Sequence, residues 1–187
     1  TVAIDPEKGL EARPATRVMT MRHLLTHTSG LSYNIAGDGP VPKAYREVGI
    51  FPFTGDVDAE PGNGPRVRDL DEMVRRLGEI PLTSEPGTAY SYSASLDVLG
   101  LVIQRASGMS FPDFLRRRLF DPISMRDTRF GLSPEQTGRM AALYDYSPPG
   151  RRLVPGASVE AYSRPITLFA GGAGLVSSTR DVLAFLT

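Results

Sequence analysis

The amino-acid sequence predicts an α-rich α+β fold, with several amphipathic helices and little β structure. Five segments have helix-start signals followed by apolar residues at helical spacing, whereas one pair of short segments has the pattern of a β-hairpin. The chain has 187 residues, of which 41% are hydrophobic, so it is long enough to bury one sizeable core. We therefore expect one folded domain over residues 1–187.

The first helix signal follows an irregular segment, residues 1–18, that proline and glycine interrupt. Thr20 can cap a short helix from Met21 to His27, because a threonine oxygen at this position accepts a hydrogen bond from a free backbone N–H. Gly30 can adopt the left-handed conformation that ends such a helix.

Residues 31–68 contain so many glycines and prolines that we expect no long helix or strand there, apart from a helical turn over residues 43–48. A loop of this length is uncommon in a compact domain unless it covers a site. Apolar side chains along it, including Tyr33, Phe51 and Phe53, can anchor it to a core. We therefore predict a packed flap or lid.

Residues 69–120 are predicted to form a helical core. Asp69 begins its first helix, because Glu72 stands three residues later as a capping partner. A second helix is expected from about residue 94 until Gly108, and a third from Ser110. The predicted buried face of the second helix comprises Leu96, Leu99, Ile103 and Ala106.

Residues 138–187 are predicted to hold a hairpin, a glycine-rich bend and a last helix. Residues 140–146 and 151–154 have strand patterns, and the Ser-Pro-Pro-Gly run between them is typical of a turn. The bend covers residues 170–175, and Ser178 then caps the last helix. Its side chains expected to point inward are Val182, Phe185 and Leu186.

Composition excludes several functional classes. The 21 basic and 21 acidic side chains give a formal net charge of zero, so nothing favours a nucleic acid or an anionic membrane as a partner. Without cysteine, the chain has no disulfide and no thiolate nucleophile. No apolar run approaches the roughly 18 residues of a membrane helix, so we expect a soluble chain. Cytoplasmic and exported locations are not distinguished.

The segment PGTAYSYS, residues 86–93, places Tyr90 and Tyr92 where a loop runs into a helix. One interpretation gives these two tyrosines no chemical role: they would simply be half-buried aromatic residues on either side of a helix start. A phenol acts as a base at neutral pH only when nearby cations stabilise its anion. Neither of the two lysines, Lys8 and Lys43, follows a serine by three residues, so the chain contains no Ser-x-x-Lys pair. Tyr92 is therefore a candidate for proton transfer in a site that other residues complete.

Four segments, in the same order, resemble the serine β-lactamase and penicillin-binding-protein superfamily. They are MRHLLTHTSGL at residues 21–31, PGTAYSYS with DVLG at residues 86–100, DPISMRDT at residues 121–128, and GGAGL with STRD at residues 171–181. The first segment is the most specific, and the glycine bend is weak by itself. The resemblance implies that Tyr92 is the tyrosine that, with a lysine, takes the proton of a nucleophilic serine.

Two departures from the family pattern narrow the branch. Where the lactamase pattern has asparagine, this chain has Ala94, which offers no side-chain hydrogen bond to a lactam or peptide amide. An apolar residue at this position is similar to the esterase branch of the superfamily, the family VIII carboxylesterases.

The second departure is that two motifs of the family are missing from the chain. The Ser-x-x-Lys motif would lie before Thr1 and the Lys/His/Trp-x-Gly strand beyond Thr187. The chain thus resembles an internal fragment: the helical domain of a β-lactamase-like α/β fold, with most of the antiparallel sheet missing and residues 138–187 starting the return to it.

The resemblance implies a serine hydrolase that cleaves small carboxylic esters through an acyl-serine intermediate, whereas this chain alone would be inactive. Residues expected to bind the substrate are Tyr33, Phe51, Phe53 and Gly172. One alternative is a penicillin-binding, D-amino-acid peptidase or β-lactamase-like activity. Another is a non-catalytic homologue or an isolated binding domain.

We expect no metal and no cofactor. His23 and His27, four residues apart, could share a helix face as zinc ligands do, but Leu24 stands where the zincin pattern has glutamate. We expect these histidines to hydrogen-bond to the backbone instead. The glycine bend is not followed by the Gly-Lys-Ser/Thr of a phosphate-binding loop. The expected partner is a small-molecule ester, and helices that normally cover a sheet predict self-association or a companion segment that carries the sheet.

Overall fold

A computed structural model of the chain describes residues 1–51, 64–142, 144–147, 152–155, 160–163 and 165–187. The helices are α1 (Met21–Leu25), α2 (Pro40–Glu47), α3 (Leu70–Leu77), α4 (Ser95–Ser107), α5 (Phe111–Leu115), α6 (Pro134–Thr137), α7 (Glu160–Ser163) and α8 (Thr179–Leu186). A π-helical turn, Arg116–Phe120, continues α5. The strands are β1 (Val2–Ala3), β2 (Ala12–Arg13), β3 (Arg129–Phe130), β4 (Tyr144–Ser147), β5 (Arg152–Pro155) and β6 (Leu175–Val176).

The chain divides into two compact units. The N-terminal unit comprises Thr1–Phe111 and Thr167–Ala173, and the C-terminal unit comprises Pro112–Ile166 and Gly174–Thr187. The N-terminal unit therefore contains α1 to α4 and also residues 170–173 of the glycine-rich bend, which lie far from the rest of the unit in the sequence. No helix in the described part of either unit is long and apolar enough to cross a membrane.

Strands pair into short antiparallel ribbons. Among the described residues, β1 pairs with β2, β3 with β6, and β4 with β5. In the β4–β5 hairpin, Tyr144 lies opposite Pro155 and Ser147 lies opposite Arg152. The predicted hairpin is confirmed, with a shorter first strand and with a second strand that is shifted by one residue. The helix-rich composition of the fold is confirmed as well.

Helix α1 begins as predicted but ends early. Thr20 accepts a hydrogen bond from the backbone N–H of His23 (3.3 Å), and His23 Nδ1 accepts one from the backbone N–H of Thr20 (3.2 Å). This reciprocal cap fixes the start. The prediction that α1 extends to His27 is wrong, because His27 itself adopts a left-handed backbone conformation (φ 51°) and the helix stops at Leu25.

Helix α2 is longer than the predicted turn over residues 43–48. It begins at Pro40, where a proline is tolerated because the first N–H groups of a helix have no partner within it. Its buried face packs Val41, Ala44 and Tyr45 into the core. The Tyr45 hydroxyl accepts a hydrogen bond from the backbone N–H of Ser32 (3.2 Å), so this part of the predicted flap is tied to the core.

Helix α3 begins at its predicted cap. Asp69 accepts a hydrogen bond from the backbone N–H of Glu72 (2.8 Å). The Glu72 carboxylate accepts from the backbone N–H of Arg68 (2.9 Å) rather than closing a reciprocal box with Asp69. The arginine and amide hydrogen bonds to Glu72 lower the pKa of its carboxyl from 4.5 to about 2.

Helix α4 ends where predicted, at Gly108, which adopts a left-handed conformation (φ 68°). Its buried face differs from the predicted one. Ala106 is exposed and Leu96, Leu99 and Ile103 are only half-buried, whereas the buried residues are Ser95, Asp97, Gly100 and Leu101. The apolar spacing predicted the wrong face, because two polar residues at the start of the helix, Ser95 and Asp97, are buried and make hydrogen bonds there.

Helix α8 has its predicted cap, since Ser178 accepts a hydrogen bond from the backbone N–H of Asp181 (3.3 Å). The prediction that its apolar side chains point inward is wrong for the described residues. Val182 is 45% exposed, Phe185 56% and Leu186 72%. Elsewhere in the C-terminal unit, the arginines of residues 116–118 face water as expected.

Candidate active site

Tyr92 lies just before α4, on a segment that is hydrogen-bonded to the turn after α1. The backbone N–H of Ser91 donates to the His27 carbonyl (2.8 Å), and the N–H of Ala94 donates to the Ser32 carbonyl (3.0 Å). The backbone is thus held on both sides of Tyr92, whose side chain remains 51% exposed. A fixed backbone with an accessible phenol is the arrangement that a proton-transfer residue requires.

Two aromatic rings, those of His27 and Tyr33, contact the Tyr92 ring. The Tyr92 ring centroid lies 5.0 Å from that of His27 and 5.4 Å from that of Tyr33. The His27 ring also makes an edge contact with Tyr90, at 6.1 Å. Because Tyr33 is buried, its pKa is raised well above 10, and the nearby charges of Asp97 and Tyr92 raise it further. Tyr33 is therefore a neutral phenol at physiological pH.

A line of buried hydroxyl groups connects the α1 turn to the start of α4. The Ser29 and Ser95 hydroxyl oxygens are 2.7 Å apart, as are those of Ser95 and Ser93. The line reaches the imidazole, because Ser93 Oγ lies 3.2 Å from His27 Nδ1. The sequence analysis did not single out these serines; their recurrence at positions 93 and 95, beside the tyrosine motif, is the pattern that could have identified them.

Asp97 is a buried carboxylate on α4, and the sequence analysis named it only as part of a motif. It is 1% exposed, and its Oδ1 accepts a hydrogen bond from the backbone N–H of Gly172 (2.9 Å). Within the described residues Oδ2 has no hydrogen-bond partner. Burial raises the pKa of Asp97 from 3.8 to about 6, and the hydrogen bond from Gly172 opposes that rise.

The glycine bend packs directly on the start of α4. A Cβ on Gly171 would lie 2.0 Å from the Leu96 carbonyl oxygen, so only glycine fits at this position. A Cβ on Gly172 would lie 3.4 Å from Asp97 Oδ1, which is an ordinary contact. The bend, expected from its glycines, therefore has a specific partner in α4.

The four predicted substrate-binding residues have different surroundings. Tyr33 is buried beside Tyr92, and Phe51 is buried in the core. Phe53 lies outside the described residues. Gly172 is exposed, but its N–H already donates to Asp97. Their role in binding a substrate stays a prediction.

The two histidines hydrogen-bond to the backbone, as expected. His23 Nδ1 accepts from the N–H of Thr20, and His27 Nδ1 accepts from the N–H of Ser93 (3.3 Å). Among the described residues, no group of three or more histidine, aspartate and glutamate side chains is arranged to hold a metal ion.

The comparison with protein families shows which family the chain belongs to. The family model described as Beta-lactamase matches residues 6–187. The chain belongs to the Beta-lactamase family. The four segments that resemble the serine β-lactamase and penicillin-binding-protein superfamily, at residues 21–31, 86–100, 121–128 and 171–181, all lie within the matched residues.

Relatives in the Beta-lactamase family include esterases and acyltransferases. Esterase EstB from Burkholderia gladioli is 38% identical over 184 residues, which cover 90% of this chain and 44% of EstB. The structure of EstCE1, described as a hydrolase with promiscuous acyltransferase activity, matches with 26% identity and a TM-score of 0.67, over 89% of this chain and 44% of that one. Simvastatin synthase (LovD) from Aspergillus terreus also matches with 26% identity and a TM-score of 0.67, over 94% of this chain and 40% of that one.

These similarities agree with the predicted esterase branch and with a β-lactamase-like fold. The chain spans less than half the length of the curated relatives it matches, between 39% and 44% for three of them. The enzymes named among these relatives are described as esterases and acyltransferases.

Proposed function

We propose that the whole protein is a serine hydrolase that cleaves small carboxylic esters through an acyl-serine intermediate, with Tyr92 as the proton-transfer residue. The observation that carries this proposal is the accessible phenol of Tyr92 on a backbone that Ser91 and Ala94 hold by hydrogen bonds. The esterases among the relatives support the choice of substrate class.

Tyr92 is better suited to this role than the neighbouring tyrosines. Tyr33 is buried and its raised pKa opposes formation of the anion. Tyr90 is the most exposed of the three, at 71%, and its described ring contact is only an edge contact with His27. Tyr92 combines access to substrate with two ring contacts that restrict its orientation.

The nucleophile would come from a Ser-x-x-Lys motif outside these 187 residues, which contain none. The lysine cation would stabilise the Tyr92 phenolate, and the two groups would take the serine proton as the serine oxygen attacks the ester carbonyl. The alcohol would leave with that proton, and water would then hydrolyse the acyl-serine. On this proposal the chain by itself is inactive.

Ala94 supports esters over lactams and peptides as substrates. Its side chain is buried at the start of α4 and carries no hydrogen-bonding group, so it contributes no polar contact to a substrate amide. A penicillin-binding or D-amino-acid peptidase activity is the alternative within the same framework, and incubation with a labelled penicillin tests it. We expect weak or no labelling of the whole protein.

Transfer of the acyl group to an alcohol is a second candidate reaction, since EstCE1 and LovD are described by acyl-transfer or synthase activities. In both reactions the acyl-serine is the same intermediate, and only the acceptor differs. Adding a primary alcohol to the assay and measuring the new ester against the free acid separates the two. We propose hydrolysis as the main reaction.

We further propose that residues 1–187 form one partial domain, whose remaining antiparallel sheet lies elsewhere in the whole protein. The exposed apolar side chains of α8 support a companion segment or self-association. Tyr33, Phe51 and Phe53 in residues 31–68, with Gly172 in the bend, would line the acyl pocket. If the whole protein has no Ser-x-x-Lys motif, the non-catalytic binding domain is the better proposal.

The decisive experiment compares hydrolysis of p-nitrophenyl butyrate by the whole protein, by Tyr92→Phe and by Tyr90→Phe. We expect Tyr92→Phe to lower kcat by about 100-fold or more, because general acid–base catalysis contributes that much. Tyr90→Phe, the matched control two residues earlier in the chain, should stay within about twofold. Equal rates for the wild type and Tyr92→Phe would remove Tyr92 from the mechanism.

A further inference from the structure

The line of hydroxyl groups formed by Ser29, Ser95 and Ser93 has a backbone N–H donor at each of its two ends. At one end, the backbone N–H of Leu31 donates to Ser29 Oγ (3.1 Å). At the other, the backbone N–H of Ser93 donates to His27 Nδ1 (3.3 Å). A backbone amide can only donate, so Ser29 Oγ and His27 Nδ1 are both acceptors in these contacts.

The acceptor role of His27 Nδ1 determines the direction of every hydrogen bond along this line. Since Nδ1 accepts the Ser93 N–H, the neutral imidazole carries its proton on Nε2, and the Ser93 hydroxyl is a second donor that shares the same Nδ1 lone pair (3.2 Å). Ser93 Oγ then accepts from the hydroxyl of Ser95, whose oxygen accepts from the hydroxyl of Ser29, each at 2.7 Å. Each hydroxyl donates once and accepts once, so the chain runs in one direction, toward His27.

The backbone at His27 gives a second, independent observation. His27 has a φ of 51°, a conformation that glycine adopts freely and that is unfavourable for a residue with a side chain. Backbone strain of this kind persists only where surrounding interactions hold it, and it occurs preferentially at functional sites. The strained residue here is the one whose ring contacts both Tyr90 and Tyr92.

We propose that His27 is a positioning residue for Tyr92. The serine chain holds the imidazole in its Nε2–H form and in one orientation, and the ring then restrains the Tyr92 phenol at a centroid distance of 5.0 Å. This inference rests on the proposed role of Tyr92 in proton transfer. His27 acts on the reaction only through the orientation of that phenol, which a near-attack geometry requires.

The test uses His27→Asn in the whole protein. Asparagine tolerates a positive φ and offers an acceptor to the Ser93 N–H, but it has no ring to contact Tyr92. We expect kcat for p-nitrophenyl butyrate to fall about tenfold with KM within about twofold, because the loss is in orientation rather than in binding. His23→Asn is the matched control: its imidazole also accepts a backbone N–H, but from Thr20 at the α1 cap, and kcat should not change.

A second measurement keeps the inference testable if His27→Asn fails to fold. Nitrogen-15 NMR of the histidine-labelled wild type should show His27 as the Nε2–H tautomer, with the signal assigned by its change in Ser93→Ala. An Nδ1–H tautomer would contradict the directed chain. Unchanged kcat in a folded His27→Asn would also overturn the inference. If His27→Asn has unchanged kcat but Tyr92→Phe is inactive in the same assay, only the inference about His27 fails and the proposed function stands. Full activity of Tyr92→Phe would remove both the proposed role of Tyr92 and the inference about His27.

Discussion

Asp97 and Asp181 occupy the same position in two helices, the third residue of α4 and of α8, and both are almost fully buried (1% and 2% exposed). In the C-terminal unit, Asp181 Oδ2 accepts hydrogen bonds from the Asp127 N–H (2.7 Å) and from the Thr128 hydroxyl (2.8 Å). In the N-terminal unit, Asp97 Oδ1 accepts a hydrogen bond from the Gly172 N–H (2.9 Å), and Oδ2 has no partner within the described residues.

The comparison shows that burial alone does not define the role of a carboxylate. A buried charge is tolerated to the extent that hydrogen bonds replace the water it has lost. Asp181 has two such bonds on one oxygen and joins α8 to the chain before β3, which is a structural role. Asp97 is less well compensated, and burial raises its pKa to about 6, close to physiological pH.

We expect the largest effect from a substitution of Asp181, the aspartate whose burial is better compensated by hydrogen bonds. Asp181→Ala leaves the Asp127 N–H and the Thr128 hydroxyl without their acceptor, and each lost bond to a buried donor costs about 2 kcal/mol. We expect the free energy of unfolding of the whole protein to fall by about 4 kcal/mol, measured by urea denaturation. A loss below about 1 kcal/mol would mean that Asp181 is not a structural carboxylate.

The next prediction concerns the pH dependence that Asp97 introduces. Its folded-state pKa of about 6 lies above its ordinary value of 3.8, so its stabilising contribution is complete below 3.8 and is lost as the pH rises through 6. Relative to Asp97→Asn, which does not titrate, the wild type should therefore lose on the order of 3 kcal/mol of stability in total, most of it between about pH 4 and about pH 7. A constant difference between the two proteins over this range would contradict the raised pKa.

A smaller loss of stability is expected from a substitution in the glycine bend, which packs on α4 next to Asp97. Gly171→Ala places a methyl group against the backbone of α4, and we expect a loss of about 2 kcal/mol of stability, as for overpacked cores. Gly172→Ala is the control, because its methyl group makes only ordinary contacts with Asp97, and its effect should stay within about 0.5 kcal/mol. Thermal unfolding of both variants checks the difference; equal losses would show that the bend is not packed tightly on α4.

The smallest predicted effect separates the two donors to Asp181. Thr128→Val keeps the shape of the side chain but removes its hydroxyl, while the Asp127 N–H still donates to the carboxylate. We expect a loss of about 1 kcal/mol in urea denaturation, well below that of Asp181→Ala. An equal loss for the two variants would assign the whole effect to Thr128.

Much of the fold was predictable because helix ends depend on short-range contacts. The caps at Thr20, Asp69 and Ser178 and the end of α4 at Gly108 lie where the sequence predicts them. Of the site, Tyr92 and its motif were identified from the sequence and from its resemblance to a family. His27 as a ring neighbour, the serine chain and the partner of Asp97 were not predictable, since they join positions about 66 to 75 residues apart.

The sequence by itself determined the starts of α1, α3 and α8, the end of α4, the tyrosine motif and the membership of the Beta-lactamase family, because each depends on residue types at fixed local spacings. Only the tertiary structure decided which face of α4 is buried, that the apolar side chains of α8 remain exposed, and that two aspartates at equivalent helix positions differ in their partners. The physical reason is that burial and hydrogen bonding depend on which distant segment packs against a residue, and no local pattern specifies that segment.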